Sequence, residues 1–170
     1  GQQNGALMTE PTVRKKIAIL VDVQNIYYTT KQAFDKSFNY RKFIEYAKTQ
    51  GDVVVANAYA TRRDDDGQHK FQTMLKHIGF NVKLKNYIQR SDGSAKGDWD
   101  VGITIDAMDI ANDIDQLILL SGDGDFDLLL QKLRADYDVN CQVFGVKRLT
   151  AQSLVNSANQ YIPIDYDWLL

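Results

Sequence analysis

The sequence predicts an α/β protein, a three-layer α/β/α sandwich around a mainly parallel central sheet. Apolar, strand-like segments alternate along the chain with helical patterns of about ten residues, as they do where crossover helices join parallel strands. The first apolar segment, residues 17–23 (IAILVDV), has the near-continuous apolar character of a strand buried on both faces. With 170 residues, the chain has the length of about one domain. We therefore predict one domain over residues 16–170 after a flexible lead-in at residues 1–15, which lacks periodicity.

The first half of the chain supplies three predicted strands and two predicted helices. In order, they are the strand 17–23, the helix 40–50, the strand 53–59, the helix 70–78 and the strand 82–88. Gly51 and Gly79 follow the two helices and end them. The last strand (VKLKNYI) alternates between apolar and polar residues, which indicates a position near a sheet edge. Residues 89–97 are polar and glycine-bearing, and they predict a loop.

The second half repeats this alternation. Its elements are the helix 100–111, the strand 117–120, the helix 126–135, the strand 139–145, the short helix 151–158 and the extended segment 161–164. The sequence shows neither an internal repeat nor a domain boundary.

Composition narrows the function classes. The 44% hydrophobic and 25% charged residues are typical of a soluble globular protein, and no apolar run approaches the roughly 20 residues of a membrane-spanning helix. Cys141 is the single cysteine, so no internal disulfide forms, and a cytoplasmic location is expected. The first strand is not followed by a glycine-rich phosphate loop ending in Gly-Lys-Ser/Thr, which argues against an ATPase or GTPase.

Charge is segregated along the chain beneath a net charge of −2. Residues 1–97 carry 16 Lys and Arg against 9 Asp and Glu, whereas residues 98–170 carry 4 against 13. Of the 22 acidic residues, only Glu10 and Glu45 are glutamate. This distribution suits a protein that holds a polyanion on one side and a cation on the other, although two solvated halves that attract each other explain it equally well.

Four aspartates stand where ligands bind in parallel sheets, beyond the carboxyl ends of the strands. Asp22 lies near the end of the first strand, Asp123 and Asp125 follow the strand 117–120, and Asp100 begins the helix after the polar loop. We expect all four carboxylates to project into one crevice. Their mutual repulsion, roughly 4 kcal/mol for two charges about 4 Å apart, favours a bound cation. An all-oxygen site of this kind suits Mg²⁺ or Mn²⁺.

Helix capping is the alternative explanation for these residues. Asp22 and Asn25 suit the cap of a following helix, and Asp125 suits the cap of the helix 126–135. The position of all four aspartates at one end of the sheet favours a functional site, as does the cost of burying Asp22 within an apolar strand without a partner.

Three motifs, taken in order, resemble those of the NYN domains of the PIN-like nuclease superfamily, most closely the LabA-like group. Asp22-Val23-Gln24-Asn25 resembles the opening Asp-x-x-Asn. Lys96-Gly97, then Asp100-Val101 and Asp106, is similar to the Lys-Gly-x-Asp-Val pattern with its later Asp. Ser121-Gly122-Asp123-Gly124-Asp125-Phe126 resembles the Ser-Gly-Asp-x-Asp-Phe signature. The resemblance extends over residues 16–164 and implies a PIN-like fold.

The resemblance implies metal-dependent hydrolysis of RNA phosphodiester bonds. One or two Mg²⁺ or Mn²⁺ ions would be held by four catalytic carboxylates, those of Asp22, Asp100, Asp123 and Asp125. Supporting roles fall to Asn25 and Ser121, which would orient a carboxylate or the phosphate. One extra residue separates Lys96 from Asp100, so Asp98 is a rival for the role of Asp100. Asp106 lies about 240° around the helix from Asp100 and is expected to be structural or to act through another residue.

The expected partner is single-stranded RNA. The candidate phosphate contacts are Lys96, Arg62, Arg63, Arg90, Lys147 and Arg148. Tyr27 and Tyr28 are candidates for stacking on bases, although packing under a helix is the commoner role of such a pair. A membrane partner is not expected, and the sequence leaves open whether the chain forms a homodimer. Two other functions stay open. One is a non-catalytic RNA-binding or regulatory module. The other is a phosphatase of the haloacid-dehalogenase type, although that chemistry needs a second Asp two residues after Asp22 and this sequence has Gln24 there.

Overall fold

The computed structural model describes residues 13–62, 66–86, 88–89, 95–96 and 98–170, so most of the predicted lead-in lies outside the described residues. The strands are β1 (Lys16–Asp22), β2 (Asp52–Arg62), β3 (Asn81–Asn86), β4 (Ile88–Gln89), β5 (Ala95–Lys96), β6 (Gln116–Leu120), β7 (Asn140–Gly145) and β8 (Gln160–Pro163). The helices are α1 (Val23–Phe34), α2 (Tyr40–Gln50), α3 (Asp66–Ile78), α4 (Asp100–Ile110), α5 (Asp127–Tyr137) and α6 (Gln152–Ser157).

Six of the strands form one sheet in the order β3-β2-β1-β6-β7-β8, and all neighbouring pairs are parallel. The chain builds outwards from β1 on one side and then outwards from β6 on the other. The strand order therefore reverses between β1 and β6, which opens a crevice at their carboxyl ends. β3 lies at one edge of the sheet, as its alternating pattern predicts.

Helices cover both faces of the sheet and confirm the three-layer sandwich. Ile17, Ile19 and Val21 of β1 pack on one face with residues of α1, α2 and α3. Ala18 and Leu20 pack on the other face with residues of α4, α5 and α6. This alternation places Asp22, the next even-numbered residue, on the face covered by α4 and α5.

The ends of several elements are shifted, since β2 extends to Arg62 and α3 begins at Asp66, and two further differences are larger. The segment after β1 forms the helix α1 of 12 residues, of which the sequence indicated only the cap. Its Val, Ile, Thr and Tyr residues have modest helix propensity, so pattern alone left its bounds open. The predicted strand 82–88 and loop 89–97 are divided differently: β3 ends at Asn86, and β4 pairs antiparallel with β5 in a separate two-stranded ladder. Among the described helices, none has the length and apolar character needed to cross a membrane.

Candidate metal centre

Three carboxylates converge at the crevice between β1 and β6. Asp22 ends β1, Asp100 is the first residue of α4, and Asp123 follows β6 after two residues. One oxygen from each carboxylate lies within 4.8 Å of the others. Asp22 is 8% exposed, and the other two are half-buried. Residues that are 78 and 23 positions apart in the chain thus form one compact acidic group.

Ser121 joins two of these carboxylates through one hydroxyl group. Its Oγ donates a hydrogen bond to Asp22 Oδ2 at 3.0 Å and accepts one from the backbone N–H of Asp123 at 3.1 Å. The side chain is fully buried, so solvent does not compete for these hydrogen bonds. Ser121 therefore fixes the orientation of Asp22 and the position of Asp123 together.

Asn25 ties the start of α1 to the loop after β6. Its Oδ1 accepts a hydrogen bond from the backbone N–H of Gly122 at 2.9 Å, and its own backbone N–H donates to Asp22 Oδ1 at 3.5 Å. A Cβ atom at Gly122 would lie 2.5 Å from the carbonyl oxygen of Leu149, so only glycine allows this close approach. Asp22 is therefore both the N-cap of α1 and a member of the acidic cluster, which reconciles the two alternatives for this residue.

Burial and repulsion raise the pKa values of two cluster members. Burial raises the pKa of Asp22 to about 6, against the opposing hydrogen bonds from Ser121 and Asn25 and with a smaller increase from the charge of Asp123. The pKa of Asp100 rises to about 8, first through burial, then through a hydrogen bond to the Asp123 carboxyl and the charges of its acidic neighbours. The protein without a cation therefore retains a proton within the cluster near neutral pH.

The start of α4 is anchored by two residues that the sequence did not single out. Trp99 donates from Nε1 to the carbonyl oxygen of Ala60 at 2.9 Å, and its ring occupies the space that a Cβ at Gly102 would take. Lys85 Nζ lies 5.2 Å from the centroid of the Trp99 ring and donates to the carbonyl oxygen of Asp98 at 2.7 Å. These contacts hold the residue before Asp100 against the ends of β2 and β3. The position of Trp99 directly before Asp100 is the sequence feature from which this anchor could have been predicted.

The remaining predicted acids lie outside the three-carboxylate group that the described residues form. Asp125 is exposed; its backbone N–H donates to Asp123 Oδ1 at 2.9 Å, and α5 begins after Phe126 without a side-chain cap from Asp125. Asp98 is exposed and its Oδ1 accepts from the backbone N–H of Asp100 at 3.3 Å. The Asp106 carboxylate is bound by the Tyr59 hydroxyl at 2.8 Å and by Lys83 Nζ at 2.7 Å.

The predicted basic residues are only partly described. Arg62 is the last residue of β2 and is exposed, and Lys147 and Arg148 are exposed in a short turn after β7. Because β2 and β7 flank β1 and β6, these cations lie on both sides of the cluster at the same edge of the sheet. Arg63 and Arg90 lie outside the described residues, as does the side chain of Lys96.

The cluster has the composition that a divalent cation requires. It offers three carboxylate oxygens from short aspartate side chains, and the ligands that Mg²⁺ and Mn²⁺ prefer are of this kind. Burial raises the pKa of two of the carboxyls, acidic neighbours raise it further, and a bound cation offsets the cost of ionising them. The residues present therefore fit such an ion.

Comparison with known proteins supports the fold. The family model of the NYN domain matches residues 16–165. The protein "Low amplitude and bright protein LabA" of Synechococcus elongatus is 27% identical over 158 residues, which cover 88% of this chain and 84% of LabA. A crystal structure of a protein of unknown function from Vibrio parahaemolyticus is 50% identical and covers 95% of this chain and 100% of its own, with a TM-score of 0.90.

Proposed function

The chain belongs to the NYN domain family, and from this premise we propose that it is a metal-dependent ribonuclease that hydrolyses phosphodiester bonds of single-stranded RNA. The observation that carries the proposal is the convergence of Asp22, Asp100 and Asp123 within 4.8 Å at the crevice where the strand order reverses. Ligands bind at this place in open parallel sheets.

Asp22, Asp100 and Asp123 would hold one or two Mg²⁺ or Mn²⁺ ions, with Asp125 near enough in sequence to contribute through water. Such an ion supplies Lewis-acid chemistry: it activates water and offsets negative charge on the phosphate. The chain's own residues prepare the place for it. Ser121 holds Asp22 in one orientation, and Asn25 holds the loop that carries Asp123. Asp100 releases its proton when a cation takes its place, because a carboxylate must be ionised to act as a ligand.

The neighbouring cations favour a polyanionic substrate. Arg62 on one side of the cluster and Lys147 on the other would contact phosphates that flank the scissile bond. Lys96, Arg63 and Arg90 are further candidates from the sequence. Since the net charge is −2, attraction of RNA rests on these local groups and weakens as salt is added.

Cleavage of an end-labelled, unstructured RNA in the presence of Mn²⁺ tests the proposal. Wild type and Asp113→Asn, a control at an exposed aspartate in the turn after α4, should cleave equally. Asp123→Asn should lose at least about a hundredfold in rate, since it removes one of three cluster carboxylates. Equal cleavage by wild type and Asp123→Asn would indicate a contaminating nuclease and would reject the assignment.

The non-catalytic RNA-binding module makes a different prediction for the same protein. It requires RNA binding without cleavage and without measurable Mn²⁺ binding in titration calorimetry at millimolar metal.

We place the activity in the cytoplasm, because the one cysteine, Cys141, is a buried free thiol.

A further inference from the structure

A small pocket lies between α1, α3 and the end of β2, at the edge of the sheet where the strands have their carboxyl ends. Its volume is about 260 Å³. This volume lies below the range of roughly 300–1,000 Å³ for pockets that take drug-sized ligands, so it suits a small planar group. The described lining includes Gln24, Tyr27 and Tyr28 from α1, Thr61 from β2 and Phe71 from α3.

The lining combines aromatic surfaces with neutral polar groups. Tyr27 is 53% exposed and Tyr28 is 49% exposed, although both belong to a helix that packs on the sheet. Their rings meet edge to face, with centroids 5.3 Å apart. None of the described lining residues carries a charge. A phosphate group would find no cation among these residues, whereas an uncharged aromatic ring would find faces to stack on and amide or hydroxyl groups to bond its edge.

The helix α1 connects the pocket to the cluster. Asp22 caps this helix, and Val23, the next residue, lines the pocket. Gln24, Tyr27 and Tyr28 share one helix face at the spacings i, i+3 and i+4. At a rise of 1.5 Å per residue, the two tyrosines stand about 8 Å along the helix axis from Asp22. A group in the pocket and a phosphate at the cluster can therefore belong to neighbouring positions of one strand.

We propose that this pocket binds one unpaired nucleobase of the nucleic-acid strand whose phosphodiester lies at the aspartate cluster. This inference rests on the proposed function and adds a reason for its restriction to single strands. In a duplex, both faces of a base are stacked and its edge is paired, so the base is withheld from a pocket of this size.

Fluorescence anisotropy with a labelled, unstructured RNA, measured in EDTA so that no cleavage occurs, tests the pocket. The double variant Tyr27→Ala/Tyr28→Ala should bind this RNA about tenfold more weakly than wild type, a loss of about 1.4 kcal/mol. Tyr27→Phe/Tyr28→Phe keeps the rings and should bind like wild type. Tyr166→Ala, a control at an exposed tyrosine that contacts Phe34 instead of the pocket, should also leave binding unchanged. Binding of the paired duplex should not distinguish the variants.

Two further arms use wild-type protein alone and do not depend on the folding of a variant. An RNA of abasic nucleotides should bind more weakly than the intact RNA, and DNA of the same sequence should show the same abasic loss, because the pocket recognises the base. Equal binding by wild type and the alanine variant, equal losses in the phenylalanine and alanine variants, or equal affinity of intact and abasic strands would each overturn the proposal. If wild type binds RNA with these differences but does not cleave it with Mn²⁺, the ribonuclease assignment is rejected and the base pocket is kept. If wild type cleaves RNA but binds it no better than the alanine variant does, the pocket is rejected and the ribonuclease assignment is kept.

Discussion

The Ser121 hydroxyl donates to Asp22 Oδ2 at 3.0 Å and connects the last residue of β1 to the loop after β6. The same oxygen accepts from the N–H of Asp123, so one buried side chain positions two carboxylates of the cluster. A substitution at Ser121 should therefore weaken cation binding although the variant still contains all three cluster aspartates.

Replacement of Ser121 by alanine is expected to weaken Mn²⁺ binding by about tenfold to a hundredfold, the usual effect of removing a group that orients a metal ligand. The loss also leaves Asp22 without a hydrogen bond that lowers its pKa, so its carboxylate becomes harder to ionise. Titration calorimetry at neutral pH measures the affinity. Thr49→Ala is the control, since its hydroxyl donates to the carbonyl oxygen of Tyr46 and accepts from Gln50 Nε2, and both partners belong to the last turns of α2. Equal Mn²⁺ affinity in wild type and Ser121→Ala would show that the serine does not position the site.

The raised pKa values of Asp22 and Asp100 predict that the acidic cluster destabilises the metal-free protein as pH rises. Their pKa values are about 6 and about 8 in the folded protein, against an ordinary value of 3.8. Between the ordinary pKa and the raised pKa values, the folded state binds more protons than the unfolded state. The free energy of unfolding therefore falls with increasing pH from about 4 to about 8. Above about pH 8 both carboxyls are ionised, and the free energy of unfolding of the metal-free protein is lowered by the full amount.

The substitution Asp100→Asn isolates this effect. In EDTA at pH 8, the variant should melt about 2–4 °C above wild type, which corresponds to about 1 kcal/mol for a domain of this size. The difference should shrink as pH falls towards 4, because both carboxyls of the wild type are then protonated. Added Mn²⁺ should raise the melting temperature of wild type more than that of the variant. A difference that does not depend on pH would contradict the electrostatic explanation.

Asp106 lies on the same helix as Asp100 and predicts the opposite result. Its carboxylate accepts hydrogen bonds from Lys83 Nζ at 2.7 Å and from the Tyr59 hydroxyl at 2.8 Å. The carboxylate therefore stabilises the charge of the half-buried Lys83 side chain. Asp106→Asn should lower the melting temperature by about 2–4 °C, since it removes the negative charge of a partly exposed ion pair worth up to about 1 kcal/mol. Mn²⁺ affinity should stay at the wild-type value. A matched loss of metal affinity would place Asp106 in the site after all.

The sequence predicts where the acidic cluster lies better than it predicts which residues form it. Asp22 and Asp123 are predictable because Asp22 ends a recognisable strand and Asp123 closely follows another, and the carboxyl ends of neighbouring parallel strands meet at one edge. Asp125 is outside the three-carboxylate group: the chain turns at Gly124, the Asp125 backbone N–H donates to Asp123 Oδ1, and the residue is exposed. That turn depends on local hydrogen bonds which residue spacing does not reveal.

The base pocket and the Trp99 contacts depend on packing between distant segments. Tyr27 and Phe71 line one cavity only because α1 and α3 cover the same face of the sheet next to the end of β2. Trp99 reaches Ala60 only because β2 ends beside the start of α4. Periodicity predicts each element separately, and these contacts arise when the elements pack together.

Arg62, at the end of β2, and Lys147, in the turn after β7, flank the cluster and predict a local electrostatic contribution to RNA binding. In the variant Arg62→Gln/Lys147→Gln, RNA affinity should fall at low salt, and the slope of log K against log[salt] should become shallower by about 1 for each phosphate contact removed. Anisotropy titrations over a range of KCl concentrations in EDTA measure this slope. Lys48→Gln is the control, because Lys48 lies near the end of α2, just before the amino end of β2 and thus at the opposite edge of the sheet. If the double variant keeps the wild-type slope while Lys48→Gln changes it, RNA binds at the other end of the sheet, away from the aspartates.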